Sequence, residues 1–213
     1  ILFSGAEQRG VGIEVVRDLI TLSSASGTAL SDFSLIRQAR WRDAVASAFD
    51  EPEVAPYLHA ITKIRATYSA GSSITAPANV VKPTYHLAWL ASRLNARVTA
   101  PLENQAGTWS AAIDEEGRRI ALTLEPVIDA GRSGTTLALH ITAERRGGVL
   151  ELNVRADGES THVRASINGT PVHERTLRAK RATDAELLSQ ALELGEVDPL
   201  SPSILRTFAQ LVG

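Results

Sequence analysis

The spacing of apolar residues changes near Thr108. Before that point they recur mostly at three- and four-residue steps, and after it they alternate with polar ones. Ile13, Val16, Leu19 and Ile20 predict a helix over about 11–22. Trp41, Ala44, Val45, Ala48 and Phe49 make one apolar stripe, which predicts a helix over 33–49. Asp32 is its expected N-cap, because a carboxylate there accepts from unpaired backbone N–H groups. Pro52 and Pro56 lack that donor and stop the helix. Ile61 to Tyr68 alternates and reads as a strand. Gly71 to Pro83, rich in small residues and proline, reads as a flexible loop. Leu87, Leu90, Ala91 and Leu94 predict a second helix over 84–94, capped by Thr84 and closed by Asn95.

Beyond Thr108, alternation over 109–113, 120–124, 137–141, 150–154 and 163–167 predicts an antiparallel meander of five or six strands. Asp114 to Gly117, Arg146 to Gly148, Asp157-Gly158 and Asn168-Gly169 supply the turns. Strict alternation implies one buried and one wet face. Thr183-Asp184-Ala185-Glu186 has the form of a capping box, in which Thr183 and Glu186 satisfy each other's backbone amides. Pro199 and Pro202 interrupt the chain before a short final helix carrying Ile204, Leu205, Phe208 and Leu211. The expected class is α+β, an antiparallel meander with helices packed on one face. The first thirty residues are expected to belong to a neighbouring domain.

Composition narrows the function classes. Lys plus Arg number 22 and Asp plus Glu 24, for a net charge of −2, which argues against a dedicated nucleic-acid binder. Cysteine is absent, so there is no disulfide framework, thiolate metal site or cysteine nucleophile. No apolar stretch approaches the ~20 residues of a membrane span. No basic segment leads into an apolar core, and the expected location is cytoplasmic. Methionine is also absent and the chain opens on Ile1-Leu2-Phe3, which reads as a fragment or a processed chain.

The sequence holds few groupings with the chemistry of a site. Gly10-Val11-Gly12 lacks the third glycine of a dinucleotide fingerprint, since Val15 stands in its place. His140, His162 and His173 fall on predicted strands without metal-ligand spacing, and read as solvent-facing. Asp114, Glu115 and Glu116 read as solvated turn carboxylates. Ser133-Gly134 and Ser72-Ser73 have no placed base, so neither serine reads as a nucleophile. No catalytic set, metal or cofactor is expected. The run from Arg175 to Arg181, with Arg178 and Lys180, is the best basic candidate for an acidic contact. Trp41 beside Arg42, and Trp89 beside Arg93, combine the residue types of interface anchors, although helix packing uses the same pair.

Two segments carry a family likeness: Ala39-Arg40-Trp41-Arg42-Asp43-Ala44-Val45-Ala46-Ser47-Ala48-Phe49-Asp50-Glu51-Pro52, and His86-Leu87-Ala88-Trp89-Leu90-Ala91-Ser92-Arg93-Leu94. In this order and at this distance they resemble the OpcA family, the glucose-6-phosphate dehydrogenase assembly proteins of bacteria. The resemblance implies a non-catalytic subunit that binds glucose-6-phosphate dehydrogenase, promotes its assembly and activity, and so supports NADPH production by the oxidative pentose phosphate route. It implies that residues 1–30 are the tail of an N-terminal α/β domain and that 31–213 form the C-terminal α+β domain. The partner-contact candidates are Trp41, Arg42, Trp89, Arg93, Arg178 and Arg181. Thiol control, known in some members, requires cysteines that this chain lacks. Two other readings stay open: a small-ligand domain or enzyme using the sheet face, and an interaction module with a different partner.

Overall fold

A computed structural model of the chain describes every residue except 9, 75–76, 130, 179–181 and 194–199. Arg181, Lys180 and Pro199 therefore lie outside the described residues. The sheet expected from the alternation is present and larger than expected. It has eight strands: β3 (Ile61–Ser69), β4 (Arg97–Gln105), β5 (Thr108–Glu115), β6 (Arg118–Val127), β7 (Thr136–Arg145), β8 (Gly148–Asp157), β9 (Ser160–Ile167) and β10 (Thr170–Arg178). Their spatial order is β10-β9-β8-β7-β3-β6-β5-β4. From β4 onward successive strands form antiparallel hairpins, except that β3 inserts between β6 and β7. It runs antiparallel to β7 and parallel to β6, with Ile64 opposite Leu122 and Ser69 opposite Val127. The turns at Ala106-Gly107, Glu116-Gly117 and Asn168-Gly169 have positive φ at both residues, the backbone that fits a tight hairpin to twisted strands.

The helices cover one face. These are α1 (Ile13–Ser26), α2 (Phe33–Ile36), α3 (Ala39–Phe49), α4 (Val81–Arg93), α5 (Asp184–Glu193) and α6 (Ser201–Val212). α3 lies against β8 and β9, and α4 against β3, β6 and β7. Beneath them Ile64, Ile120, Leu122, Leu139, Ile141 and Leu152 are all buried. The alternate residues Arg65, Thr123, His140 and Asn153 face the other way and keep partial access to solvent. Tyr85 of α4 packs its ring 4.7 Å from that of Phe208 on α6, and both side chains are fully buried. Among the described residues, no helix is long and apolar enough to cross a membrane.

The helix expected over 33–49 is two helices. The chain turns at Arg37-Gln38, where the Gln38 side-chain amide donates to the Lys82 carbonyl of α4 at 2.8 Å. The Asp32 carboxylate caps α2, accepting from the Ser34 amide at 2.7 Å. α4 begins three residues earlier than expected. Pro83 fits its first turn, where no amide donor is needed, and Thr84 bonds back to the Val80 carbonyl instead of capping. The capping box at Thr183 and Glu186 is present. At the amino end, β1 (Leu2–Phe3) pairs in parallel with β2 (Ser31–Asp32), with α1 between them. Ile13, Val16 and Ile20 of α1 enter the main core.

Candidate functional site

The residues singled out from the sequence do not gather at one place. Trp41 and Trp89 are 4% and 6% exposed, so both indoles belong to the core. Arg42 is half-buried and donates to the Leu35 carbonyl at 3.0 Å. Arg93 is exposed at the carboxyl end of α4, and Arg178 is exposed at the end of the edge strand β10. Arg178 pairs with Ser160, beside the Gly158 carbonyl that accepts from Arg40 of α3, so these two arginines share one corner.

The titratable groups are dispersed as well. His162 contacts Thr176, and His173 pairs with Glu51 at 3.2 Å, while burial and the Arg65 charge hold His140 below the ordinary histidine range. No cluster of three or more metal-ligating side chains exists among the described residues. Glu115 differs from its sequence reading. It is 4% exposed and takes His59 at 3.0 Å and Arg118 at 2.6 Å, because the tight turn that follows folds Arg118 back over it.

Two buried polar side chains define how α4 is held. Asp32 accepts from the Gly5 amide, the Ser34 amide and, at 2.7 Å, the Tyr85 hydroxyl. Burial raises its pKa, and these bonds act in the opposite direction; burial and the facing carboxylate push Tyr85 well up. The network fastens the amino-terminal segment and α2 to the middle of α4. His86, one residue on, is fully buried with neither ring nitrogen hydrogen-bonded, and burial beside Arg42 drops its pKa to about 3. It is therefore a neutral imidazole at physiological pH.

The loop expected to be flexible contains a junction. The Asn79 amide donates to the Gly5 and Gln8 carbonyls, both at 2.9 Å, and its carbonyl accepts from the Val81 amide. The loop after β6 closes on it: a Cβ at Gly134 would stand 2.0 Å from the Asn79 backbone oxygen. Three loops thus meet at the carboxyl ends of β3 and β6, the parallel pair within the large sheet. Open α/β sheets place ligands outside such strand ends.

Beside this junction lies a cleft of about 410 Å³, walled by Tyr68, Ala70, Ile74, Ala78, Ala106 and Trp109. Among the described residues, no charged side chain lines it. The Tyr68 hydroxyl donates to the Gly107 carbonyl at 2.6 Å, so the polar end of that ring is already engaged. Ile74, in its wall, is 45% exposed. An ion pair between Glu7 and Arg132 stands at the same end of the molecule. Sequence reasoning placed Trp109 only at the start of a strand.

By sequence, no curated protein matches this chain. By structure, it is similar to KijD10, a 3-ketoreductase from Actinomadura kijaniata solved with TDP-benzene and NADP. The two superpose with a TM-score of 0.56 at 14% identity, covering 92% of this chain and 64% of that one. It is also similar to an aldose-aldose oxidoreductase from Caulobacter crescentus, with a TM-score of 0.50 at 12% identity over 99% of this chain and 69% of that one. This chain spans less than two thirds of the ketoreductase, and at such identities the likeness is one of fold. Residues 28–201 include both helices carrying the tryptophan–arginine pairs and the whole large sheet. They match the C-terminal domain of the glucose-6-phosphate dehydrogenase subunit, and the chain belongs to that family.

Proposed function

We propose that this chain is a non-catalytic subunit that binds glucose-6-phosphate dehydrogenase in the cytoplasm and promotes its assembly or activity. Membership of the dehydrogenase subunit family over residues 28–201 is the observation that carries this reading. The dispersed titratable groups and the uncharged cleft support it. The proposal also takes residues 1–30 as the tail of an α/β domain, which the parallel β1-α1-β2 unit supports. Of the contacts singled out from the sequence, Arg93 and Arg178 have the exposure a partner surface needs. A regulatory protein acts through different affinities for two states of its partner.

The test is to mix the protein with the dehydrogenase from the same organism. A faster-sedimenting complex, with an altered dehydrogenase rate or substrate KM, is expected. Unchanged sedimentation together with unchanged kinetics would overturn the proposal.

A further inference from the structure

The two edges of the large sheet differ. Strand β4 is blunted: Pro101 stands within it, its pairing with β5 shifts register twice, and α6 packs beside it. Strand β10, at the other edge, is irregular only at its start, where a bulge follows Pro171. From His173 to Arg178 it pairs with β9 in unbroken register and holds no proline. Among the described residues, no group outside β9 bonds to the main chain of Thr170–Arg178. Every second residue of such an edge points its N–H and C=O away from the sheet. A bare edge is a template for a further strand, and the charges along it decide which strands it accepts.

We infer that β10 pairs antiparallel with β10 of a second copy of this chain, joining the two sheets edge to edge. The side-chain pattern selects this occupant. Arg175 stands opposite Val163 and His173 opposite Ala165, and both partners lie in the core. Glu174, Thr176 and Arg178 therefore share the face turned away from the helices. A continuous sheet keeps each face on its own side, so the twofold axis between the copies passes through a residue. Centred on Glu174 or Arg175, the pairing sets like charges directly opposite each other. Centred on Thr176, it sets Thr176 against itself, Arg175 against Leu177 and Glu174 against Arg178, the last two contacts occurring twice. Glu174 then stands between Arg164 of its own β9 and Arg178 of the second copy. Strand β10 is thus complementary to itself in one register. A pairing this short covers less than the ~1,200 Å² of stable complexes, so the dimer forms at micromolar concentrations and weakens with salt. The inference is independent of the dehydrogenase reading.

The test uses the full chain, whose lack of cysteine makes any introduced thiol unique. Sedimentation velocity between about 5 and about 500 µM is expected to show a monomer–dimer equilibrium that added salt weakens. Arg178→Glu sets carboxylate against carboxylate twice, and is expected to weaken dimerisation by about tenfold. Adding Glu174→Arg to it restores both pairs and the dimer. Thr176→Cys is expected to oxidise to a covalent dimer, because residues opposite each other on antiparallel strands lie within disulfide reach. Thr170→Cys, outside the paired stretch, should stay monomeric. All four side chains are exposed, so the variants should keep the unfolding midpoint of the wild type. A chain that stays monomeric throughout the range would overturn the inference. So would a dimer indifferent to charge reversal, or equal cross-linking at both cysteines. Amides of β10 that slow in exchange only when the dehydrogenase is added would give the edge to a strand of that protein and overturn the pairing of copies.

Discussion

The indole of Trp41 on α3 lies against the imidazole of His86 on α4, with ring centroids 4.9 Å apart and planes tilted by 53°. The contact joins the two segments on which the family resemblance rests. The turn at Gln38, tied to the Lys82 carbonyl, leaves α3 against β8 and β9 with the indole inside and the Arg42 guanidinium bonded back to Leu35.

Stability should fall with acid through His86. Its folded-state pKa of about 3 lies below the ordinary value of ~6.5, so between these values the unfolded chain binds more protons. The contribution is fully present above pH ~6.5 and is lost as pH falls toward 3, at up to ~1.4 kcal/mol per pH unit. His86→Phe removes the titrating group. Urea midpoints between pH 7.5 and 4.5 should drop more steeply for the wild type than for the variant, and parallel slopes would contradict this assignment.

Asp32→Ala leaves three donors without their shared acceptor in a buried place. Loss of such a group costs about 2–4 kcal/mol. The amino-terminal segment should loosen first, seen as faster amide exchange at Gly5 and Ser34 than in the sheet. Equal acceleration everywhere would mean that the carboxylate supports the whole core and not this joint.

Gly134→Ala and Gly117→Ala separate a close approach from backbone strain. Both residues have φ near +80°, but a Cβ at Gly117 meets nothing within 4 Å, whereas at Gly134 it strikes the Asn79 backbone. Gly117→Ala should cost about 1 kcal/mol, and Gly134→Ala at least ~1 kcal/mol more. Chemical denaturation of the two variants measures the difference directly.

Thr183→Ala removes the hydroxyl that caps the Glu186 amide. The expected loss is about 1 kcal/mol confined to α5. Amide exchange should accelerate over α5 and stay unchanged in α4.

The helices were readable because each carries one apolar stripe, and the strand faces because alternation assigns a face to every residue. Neighbours were not readable. Nothing in Ile61 to Tyr68 says that its partners are β6 and β7, since alternation fixes a face but not a pairing. Strand β4 escaped notice because only Leu102 along it is buried and Pro101 interrupts it, both tolerable on a sheet edge. Glu115 looked like a turn carboxylate because its burial depends on Arg118 folding back. The tryptophans show the same limit. Their pairing with arginine marks Trp41 and Trp89 as anchors, and only packing shows that both indoles are buried.

The insertion of β3 has a kinetic consequence. During synthesis this strand emerges before either neighbour exists, with two bare edges and an apolar row, and it waits until β6 and then β7 have been made. Its pairings are long-range, so sheet closure comes late and slowly. A newborn chain cut short before β7 would display that row to other chains, and such exposed edges recruit strands from neighbouring molecules.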